Sequence, residues 1–254
     1  MHAARLAFLL LVFAVAARAD WKVTSATSEF ASAKVVEHRH VVMGNESGAE
    51  AIIELAVFSP KSATLRIFDQ GSERRADLAA VMQREHGIAG TNGGYFDPAY
   101  APVGLLVIDG EAVTRLSKAR LLSGVMTAGN GRLQLLRLAE YSAKRNLGTA
   151  LQCGPFLVDH GQAVPGLNDT RGARRTFLAV SGNRATLGFC SGATLAELGQ
   201  MLASSGVIAA EKIQRAMNLD GGSSSAFWFQ RADGSALSLS ESKSVRNFVA
   251  IVSR

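Results

Sequence analysis

The chain has 254 residues, of which 48% are hydrophobic and 19% are charged, and its formal net charge is +6 at pH 7. This length suits one large domain, and no linker rich in Pro, Ser or Gly divides the chain, so we predict a single domain. The basic residues are scattered and form no Lys/Arg block interleaved with aromatic residues, which argues against a nucleic-acid-binding protein. A small positive net charge is compatible with binding to an anionic substrate or to a polyanionic cell envelope, and it is equally typical of an ordinary soluble protein surface.

The first nineteen residues have the pattern of a secretory signal. Arg5 precedes an apolar run from Leu6 to Ala17, and the small-x-small exit Ala17-Arg18-Ala19 leads to Asp20. The apolar run is too short to span a bilayer comfortably, and no later segment is a long uncharged apolar run. We therefore predict a signal peptide at 1–19, cleavage near Ala19, a periplasmic or secreted protein and no stable membrane insertion. Cleavage removes Arg5 and Arg18 and lowers the net charge from +6 to +4.

Short runs of β-forming residues, bounded by turn residues, predominate along the rest of the chain. Two-residue turn signals at Asp109-Gly110, Asn130-Gly131 and Gly182-Asn183 predict antiparallel hairpins. In chain order the predicted strands are Lys34–Met43, Ala51–Phe58, Ala63–Phe68, Val103–Ile108, Leu121–Thr127, Arg132–Leu138, Phe156–Val158, Thr176–Val180, Thr186–Cys190, Ala226–Gln230 and Asn247–Val252.

Two helices are predicted among these strands. The segment from Glu73 to His86 places three apolar residues on one helical face. The segment from Leu195 to Ser204 follows Thr194, and Glu197 stands three residues further on, which is the pattern of a capping box. Helices that interrupt strands without regular alternation predict an α+β fold, with a mixed but mostly antiparallel sheet at the core of the single domain.

Two glycine-rich turns share one pattern, in which an Asn, a glycine pair and an acid stand at the end of an apolar segment. The first is Asn92-Gly93-Gly94, with Asp97 beyond it. The second is Asn218-Leu219-Asp220-Gly221-Gly222, followed by Ser223-Ser224-Ser225. Alone, Asp-Gly between hydrophobic runs is also the ordinary signal of a tight hairpin turn. Two such turns far apart in sequence predict one shared site.

With these residues the chain resembles the phosphodiester glycosidase family, whose members include the "uncovering enzyme", an N-acetylglucosamine-1-phosphodiester α-N-acetylglucosaminidase. The resemblance covers residues 34–254, after an N-terminal segment at 20–33. The sequence differs from the family pattern at two places. Phe177-Leu178 stands where small residues and a glycine are expected, and Ser223 replaces a third glycine. The matching segments are, in order, Asn92-Gly93-Gly94-Tyr95-Phe96, Gly154-Pro155-Phe156-Leu157-Val158 with Gly161, Arg175-Thr176, Asn218–Ser224 and Arg246-Asn247, a shortened closing element.

The resemblance implies an exported hydrolase that cleaves a sugar-1-phosphodiester to free sugar and a phosphate monoester. The departing phosphate is a stabilised anion, so a general acid matters less than in other glycosidases and cationic donors matter more. Arg175 and Arg246 are the predicted phosphate clamps, because a guanidinium offers a planar fork to phosphate oxygens. The two glycine pairs are predicted to offer backbone N–H groups or to permit close approach.

The developing charge at the anomeric carbon also needs a carboxylate, either to activate water or to attack. Asp220 is the first choice for this base or nucleophile, and Asp97 is the second. The predicted substrate-binding residues are Asn92, Gly93, Gly94, Asp97, Thr176, Asn218, Gly221, Gly222, Ser223, Ser224, Arg246 and Asn247. For the three asparagines, the alternative is that each side chain only supports its turn.

Several side chains leave alternatives open. Cys153 and Cys190 either form a disulfide in an oxidising compartment or remain two buried thiols. No cofactor is indicated, although a divalent cation held by Asp97 or Asp220 with a substrate phosphate stays open, since oxygen-only sites leave little trace in a sequence. His38 and His40 share one strand face, and without a third ligand we predict a solvated face and not a metal site. Arg171 and Arg174 are predicted to lie on a solvated rim.

Two other functions use the same residues. A non-catalytic envelope protein could bind phosphorylated polysaccharide in this cleft, and a phosphodiesterase could cut the P–O bond instead of the sugar C–O bond. The partner in each case is a glycan or a sugar-phosphodiester.

Overall fold

A computed structural model of the chain describes residues 20–32, 34–71, 75–142, 148–209 and 211–254. The predicted signal peptide at 1–19 and the first residues of the helix predicted from Glu73 lie outside these ranges. Within them, no helix is both long enough and apolar enough to cross a membrane.

The described residues form eighteen β-strands and two α-helices. The helices are α1 (Leu78–Arg84) and α2 (Leu195–Ala203). The strands are β1 (Lys22–Phe30), β2 (Val36–Gly44), β3 (Glu50–Phe58), β4 (Ala63–Asp69), β5 (Ala89–Asn92), β6 (Leu106–Ile108), β7 (Glu111–Thr114), β8 (Gly124–Gly129), β9 (Arg132–Arg137), β10 (Thr149–Cys153), β11 (Phe156–Asp159), β12 (Gln162–Ala163), β13 (Ala173–Ser181), β14 (Arg184–Ala193), β15 (Arg215–Asn218), β16 (Phe227–Gln230), β17 (Ala236–Leu239) and β18 (Asn247–Ser253).

These strands form three sheets. The large sheet has the order β1-β2-β3-β14-β13-β15-β11-β12, and the two five-stranded sheets have the orders β7-β6-β10-β8-β9 and β17-β16-β5-β18-β4. Neighbouring strands pair antiparallel throughout, as the hairpin signals predicted. The fold is therefore mostly antiparallel, but it is richer in β-structure than the predicted α+β fold, because only two of the described segments form α-helices.

The main core lies between one face of the large sheet and the two smaller sheets. Leu178 of β13, Leu135 of β9 and Phe229 of β16 all belong to this one buried cluster. The opposite face of the large sheet carries a second cluster, which α2 covers with Leu198 and Leu202. Burial of each such side chain contributes about 1.5–3 kcal/mol, so both faces of the large sheet are stabilised by apolar contacts.

The two predicted helices have different outcomes. The capping box of α2 is confirmed, since the Thr194 hydroxyl accepts from the Glu197 N–H and the Glu197 carboxylate accepts from the Thr194 N–H. The predicted start of α1 is wrong, because the helix begins at Leu78. Asp77 caps it by accepting the Ala80 N–H at 2.7 Å, so the favourable cap lies inside the predicted span.

Gln152, on β10, holds a surface loop through four hydrogen bonds. Its Oε1 accepts the N–H groups of Leu105 and Ser117, and its Nε2 donates to the carbonyl oxygens of Ser117 and Leu122 at 2.7 and 3.1 Å. The side chain is fully buried. One amide nitrogen therefore joins the two ends of the 117–122 loop and fixes them side by side.

Replacement of Gln152 with Ala is expected to lower the free energy of unfolding by about 2–4 kcal/mol, since it leaves several backbone groups without partners in a buried setting. Urea unfolding of the two proteins measures the difference. Gln162→Ala is the matched control, because Gln162 is exposed on β12. Equal midpoints for Gln152→Ala and Gln162→Ala would show that the loop is held by something other than Gln152.

Candidate active site

The two glycine-rich turns meet at one point of the fold. The first turn follows β5 of a small sheet, and the second follows β15 of the large sheet. The Asp220 N–H donates to the Gly93 carbonyl at 3.1 Å, and the Asn92 side-chain amide donates to the Asp220 carbonyl at 2.7 Å. The structure therefore brings together the two segments that share a sequence pattern, and their contact joins two sheets.

Asn92 and Thr176 hold the backbone of Asp220 from behind. Both side chains are fully buried. The Asn92 Oδ1 accepts the Ala226 N–H at 3.1 Å, and the Thr176 hydroxyl lies 2.9 Å from that oxygen and 2.8 Å from the Asp220 carbonyl. The polar atoms of both side chains form hydrogen bonds within the protein, so Asn92 and Thr176 position Asp220, and for Asn92 this fits the alternative of turn support.

Asn247 accepts hydrogen bonds from both N–H groups of the first glycine pair. The Gly93 N–H donates to the Asn247 carbonyl at 2.8 Å, and the Gly94 N–H donates to the Asn247 Oδ1 at 2.9 Å. These N–H groups are therefore not free to bind an anion, and Asn247 supports the turn. The glycines permit close approach instead, because a Cβ atom on Gly93 would lie 2.0 Å from the Asn247 Oδ1, and one on Gly94 would lie 2.9 Å from Leu151.

Replacement of Gly93 with Ala is expected to lower the free energy of unfolding by about 2–4 kcal/mol, because the new methyl group overlaps the Asn247 amide and displaces its bond to Gly94. Thermal or urea unfolding measures this. Gly172→Ala is the matched control, since no atom lies within 4 Å of a Cβ atom placed there. A Gly93→Ala protein as stable as Gly172→Ala would contradict this description of the turn.

A cleft of about 420 Å³ opens beside the second turn. This volume lies in the range of small-molecule sites. The predicted residues that reach it are Asp220, Arg175, Asn218, Gly221 and Gly222. The full set of lining residues is Tyr95, Leu121, Asn168, Arg171, Ala173, Arg175, Leu195, Asn218, Asp220, Gly221 and Gly222.

The Asp220 carboxylate is partly buried in the cleft wall. It accepts the Gly221 N–H at 2.9 Å and a hydrogen bond from the Ser224 hydroxyl. Burial raises the pKa of this carboxyl above its ordinary value, and the two hydrogen bonds oppose that shift only in part. Among the described residues, no basic side chain forms an ion pair with it. Such a carboxylate is suited to accept a proton or to attack a substrate atom.

Arg175 supplies a fixed positive charge to the same cleft. Its Nε donates to the Ala193 carbonyl at 3.1 Å, and its Nη2 donates to the Arg171 carbonyl at 2.7 Å. The third nitrogen faces the second turn, since a Cβ atom on Gly221 would lie 3.5 Å from Nη1. No carboxylate of the described residues is within ion-pairing distance of this guanidinium. Backbone carbonyls therefore orient the group and leave its charge available to an anion.

Tyr95 and Asn218 form the wall between these two charges. The Tyr95 hydroxyl donates to the Gly154 carbonyl at 2.7 Å and accepts from the Asn218 amide nitrogen at 3.0 Å. Burial raises the Tyr95 pKa, so this hydroxyl keeps its proton. The same amide nitrogen also contacts the carbonyls of Gly154 and Leu219, which fixes the orientation of the Asn218 side chain. Its Oδ1 is buried and has no hydrogen-bond partner among the described residues.

Three predicted site residues lie elsewhere. Arg246 forms a two-pronged ion pair with Asp69 at 2.6 Å for each contact and also donates to the Tyr100 carbonyl. It therefore links β4 to the start of β18 and does not line the cleft that Arg175 reaches. Asp97 is exposed and accepts the Ala101 N–H of its own turn. Ser223 is exposed and does not line the cleft.

The two arginines that were predicted to lie on a solvated rim, Arg171 and Arg174, have different surroundings. Arg171 is exposed and lines the cleft. Arg174 is partly buried and donates to the carbonyls of Ser225 and Ser240, so it is a structural residue.

The histidine pair is more buried than predicted. His38 is 5% exposed and lies between Glu29 and Glu54, at 3.2 and 2.8 Å, while His40 contacts Glu54 at 2.8 Å. The predicted solvated face is therefore wrong for His38, because the sheet places its ring against Phe229. In the described ranges, no group of three or more His, Cys, Asp or Glu residues is arranged to hold a metal ion.

The two cysteines are free thiols, and each is buried in its strand. Of the two alternatives that the sequence left open, a disulfide or two buried thiols, the structure has the two buried thiols. Burial raises the pKa of Cys153 to about 12 and that of Cys190 to about 11, so neither thiol has the character of a nucleophile.

The structure is thus an antiparallel β-fold in which a partly buried carboxylate and a guanidinium without a described ionic partner line one cleft. The profile of the phosphodiester glycosidase family matches residues 85–252. The chain therefore belongs to the phosphodiester glycosidase family.

Two solved structures share the fold at low sequence identity. The catalytic domain of zebrafish N-acetylglucosamine-1-phosphodiester α-N-acetylglucosaminidase, auto-inhibited by its pro-peptide, is 14% identical with a TM-score of 0.64, and the alignment covers 92% of this chain and 89% of that one. A hypothetical protein from Synechocystis is 16% identical with a TM-score of 0.64, and the alignment covers 87% of this chain but 62% of that one, less than two thirds of its length. A comparison with curated proteins gave no match.

Proposed function

We propose that this protein hydrolyses a sugar-1-phosphodiester at the bond between the anomeric carbon and oxygen, releasing free sugar and a phosphate monoester. One observation carries the proposal: the Asp220 carboxylate and the Arg175 guanidinium line the same cleft, and neither has a partner of opposite charge among the described side chains. A reaction that develops positive charge on one atom and releases an anion beside it needs both charges unpaired.

Each group has a separate role in this mechanism. Asp220 either takes a proton from the attacking water or attacks the anomeric carbon itself, while Arg175 binds the phosphate oxygens and stabilises the departing monoester. Because the phosphate leaves as an anion, no general acid is required to protonate it.

The printed name of the zebrafish structure supports N-acetylglucosamine as the first sugar to test. The test incubates purified residues 20–254 with a panel of sugar-1-phosphodiesters, including UDP-N-acetylglucosamine, and measures free reducing sugar with and without a chelator. We expect release that depends on Asp220 and survives in the matched control Asp97→Asn, whose carboxylate lies in an exposed turn. Tight binding of anionic glycan without release from any substrate would favour the non-catalytic envelope protein.

We also propose that the protein is exported and acts in the periplasm or outside the cell. The proposal rests on the basic start, short apolar run and small-x-small exit of residues 1–19. Sequencing of the mature N-terminus from the native host is expected to find Asp20. A mature chain that retains residues 1–19 would contradict it.

A further inference from the structure

Exposed apolar side chains are concentrated in one short segment of the chain, and the end of that segment reaches the cleft. The described part of the chain has five exposed large hydrophobic residues, and three of them fall within residues 113–121, here called the rim segment. Val113, Leu116 and Leu121 are 46%, 44% and 47% exposed. Leu121 also lines the cleft. Exposed apolar side chains grouped in one short segment indicate a surface that contacts an apolar partner.

The same segment carries three positive charges and no negative one. Arg115, Lys118 and Arg120 alternate with the apolar residues and are all exposed. None of the three forms an ion pair with a described carboxylate. Glu111, just before the rim segment, is the nearest acid in sequence. The segment therefore presents cations and apolar side chains together, and the cations are free to contact an external anion.

The fold holds the rim segment in a fixed position. Its start is paired to β6 through Thr114, whose hydroxyl also donates to the Gly104 carbonyl at 2.6 Å. Its middle and end are joined by Gln152, whose amide nitrogen bridges the carbonyls of Ser117 and Leu122. Leu116 and Leu121 directly precede the two bridged residues, so the same bridge restrains the backbone at both leucines.

We propose that the rim segment docks on the surface of an anionic lipid bilayer and holds the cleft at that surface. Leucine and valine side chains enter the boundary between headgroups and acyl chains, and flanking cations pair with anionic headgroups. An anionic glycan is the weaker match, because it would use the three cations and leave the three apolar side chains exposed to water. If the proposed function holds, the substrates within reach of the cleft are sugar phosphodiesters attached to lipid.

The test is co-sedimentation of the mature chain, residues 20–254, with vesicles of phosphatidylcholine that either contain or lack phosphatidylglycerol. We expect binding to the anionic vesicles that falls about tenfold without phosphatidylglycerol and about tenfold in the double variant Val113→Ser/Leu116→Ser. The double variant Phe30→Ser/Ile52→Ser is the matched control, since these are the other two exposed large hydrophobics and lie in β1 and β3. Thermal unfolding verifies that both variants fold.

Binding that is equal in the wild type and the rim variant, or that is absent from anionic vesicles, would overturn the proposal. Retention on an immobilised anionic polysaccharide that is unaffected by Val113→Ser/Leu116→Ser would assign the surface to a glycan instead. The assay is repeated with Asp220→Asn, so a failure of membrane binding is distinguished from a failure of the proposed hydrolysis.

Discussion

Replacement of Asp220 with Asn is expected to reduce hydrolysis of a sugar-1-phosphodiester by about 10²–10⁴-fold, the range that a positioned acid–base group contributes. The amide has the shape of the carboxylate and keeps an oxygen that can accept the Gly221 N–H, but it can neither take a proton from water nor attack the anomeric carbon. Initial rates of sugar release, measured for both proteins at the same substrate concentrations, give the ratio of kcat/KM.

The stability of Asp220→Asn separates a catalytic role from a structural one. Because burial raises the folded-state pKa of Asp220, ionisation disfavours the folded state above the ordinary pKa of the carboxyl and has no effect well below it. The Asn variant is therefore expected to be as stable as the wild type or slightly more stable at pH 7, and the difference should vanish in acid. A variant that unfolds at pH 7 would show that Asp220 mainly supports its turn.

Replacement of Arg175 with Lys is expected to reduce kcat/KM by about 10²–10³-fold, the cost of removing one donor to a developing anion. Lysine retains the charge but loses the planar fork that the carbonyls of Ala193 and Arg171 hold in place. The loss should be larger for kcat than for KM, since the phosphate gains charge as it leaves. Steady-state kinetics with a sugar-1-phosphodiester measures both constants.

Arg246→Lys is the matched control for this experiment, because both arginines were predicted to clamp phosphate. Arg246 instead pairs with Asp69, with side chains only 15% and 17% exposed, outside the cleft. We expect this variant to be less stable, because the two-pronged pair with Asp69 is lost, while kcat stays near that of the wild type. A larger kinetic loss in Arg246→Lys than in Arg175→Lys would contradict the assignment of the phosphate site.

The sequence predicted the meeting of the two glycine turns because both carry the same local pattern at the end of an apolar segment. It could not predict how each side chain is used there. For Asn92 and Asn247 the sequence left two roles open, substrate ligand or support of the turn, and their hydrogen bonds go to backbone groups of the turns. The ion pair of Arg246 could not be predicted, because its partner, Asp69, is 177 positions away in the chain.

Other features leave little pattern in the sequence. The cleft is completed by Leu121, Asn168 and Leu195, which come from separate segments and acquire a common role only after folding. β5 and β15 were missed because both are short and poor in the β-branched and aromatic residues that mark β16, a strand of the same length. β1 was missed because seven of its nine residues are exposed, so it lacks the apolar alternation of a half-buried strand.

Hydrolysis in oxygen-18 water tests the central claim most directly, because the position of the label identifies the bond that breaks. The mechanism at Asp220 and Arg175 predicts label in the hydroxyl at the anomeric carbon of the released sugar and unlabelled phosphate monoester. Label in the phosphate and none in the sugar would contradict it and would identify a phosphodiesterase that cleaves the P–O bond.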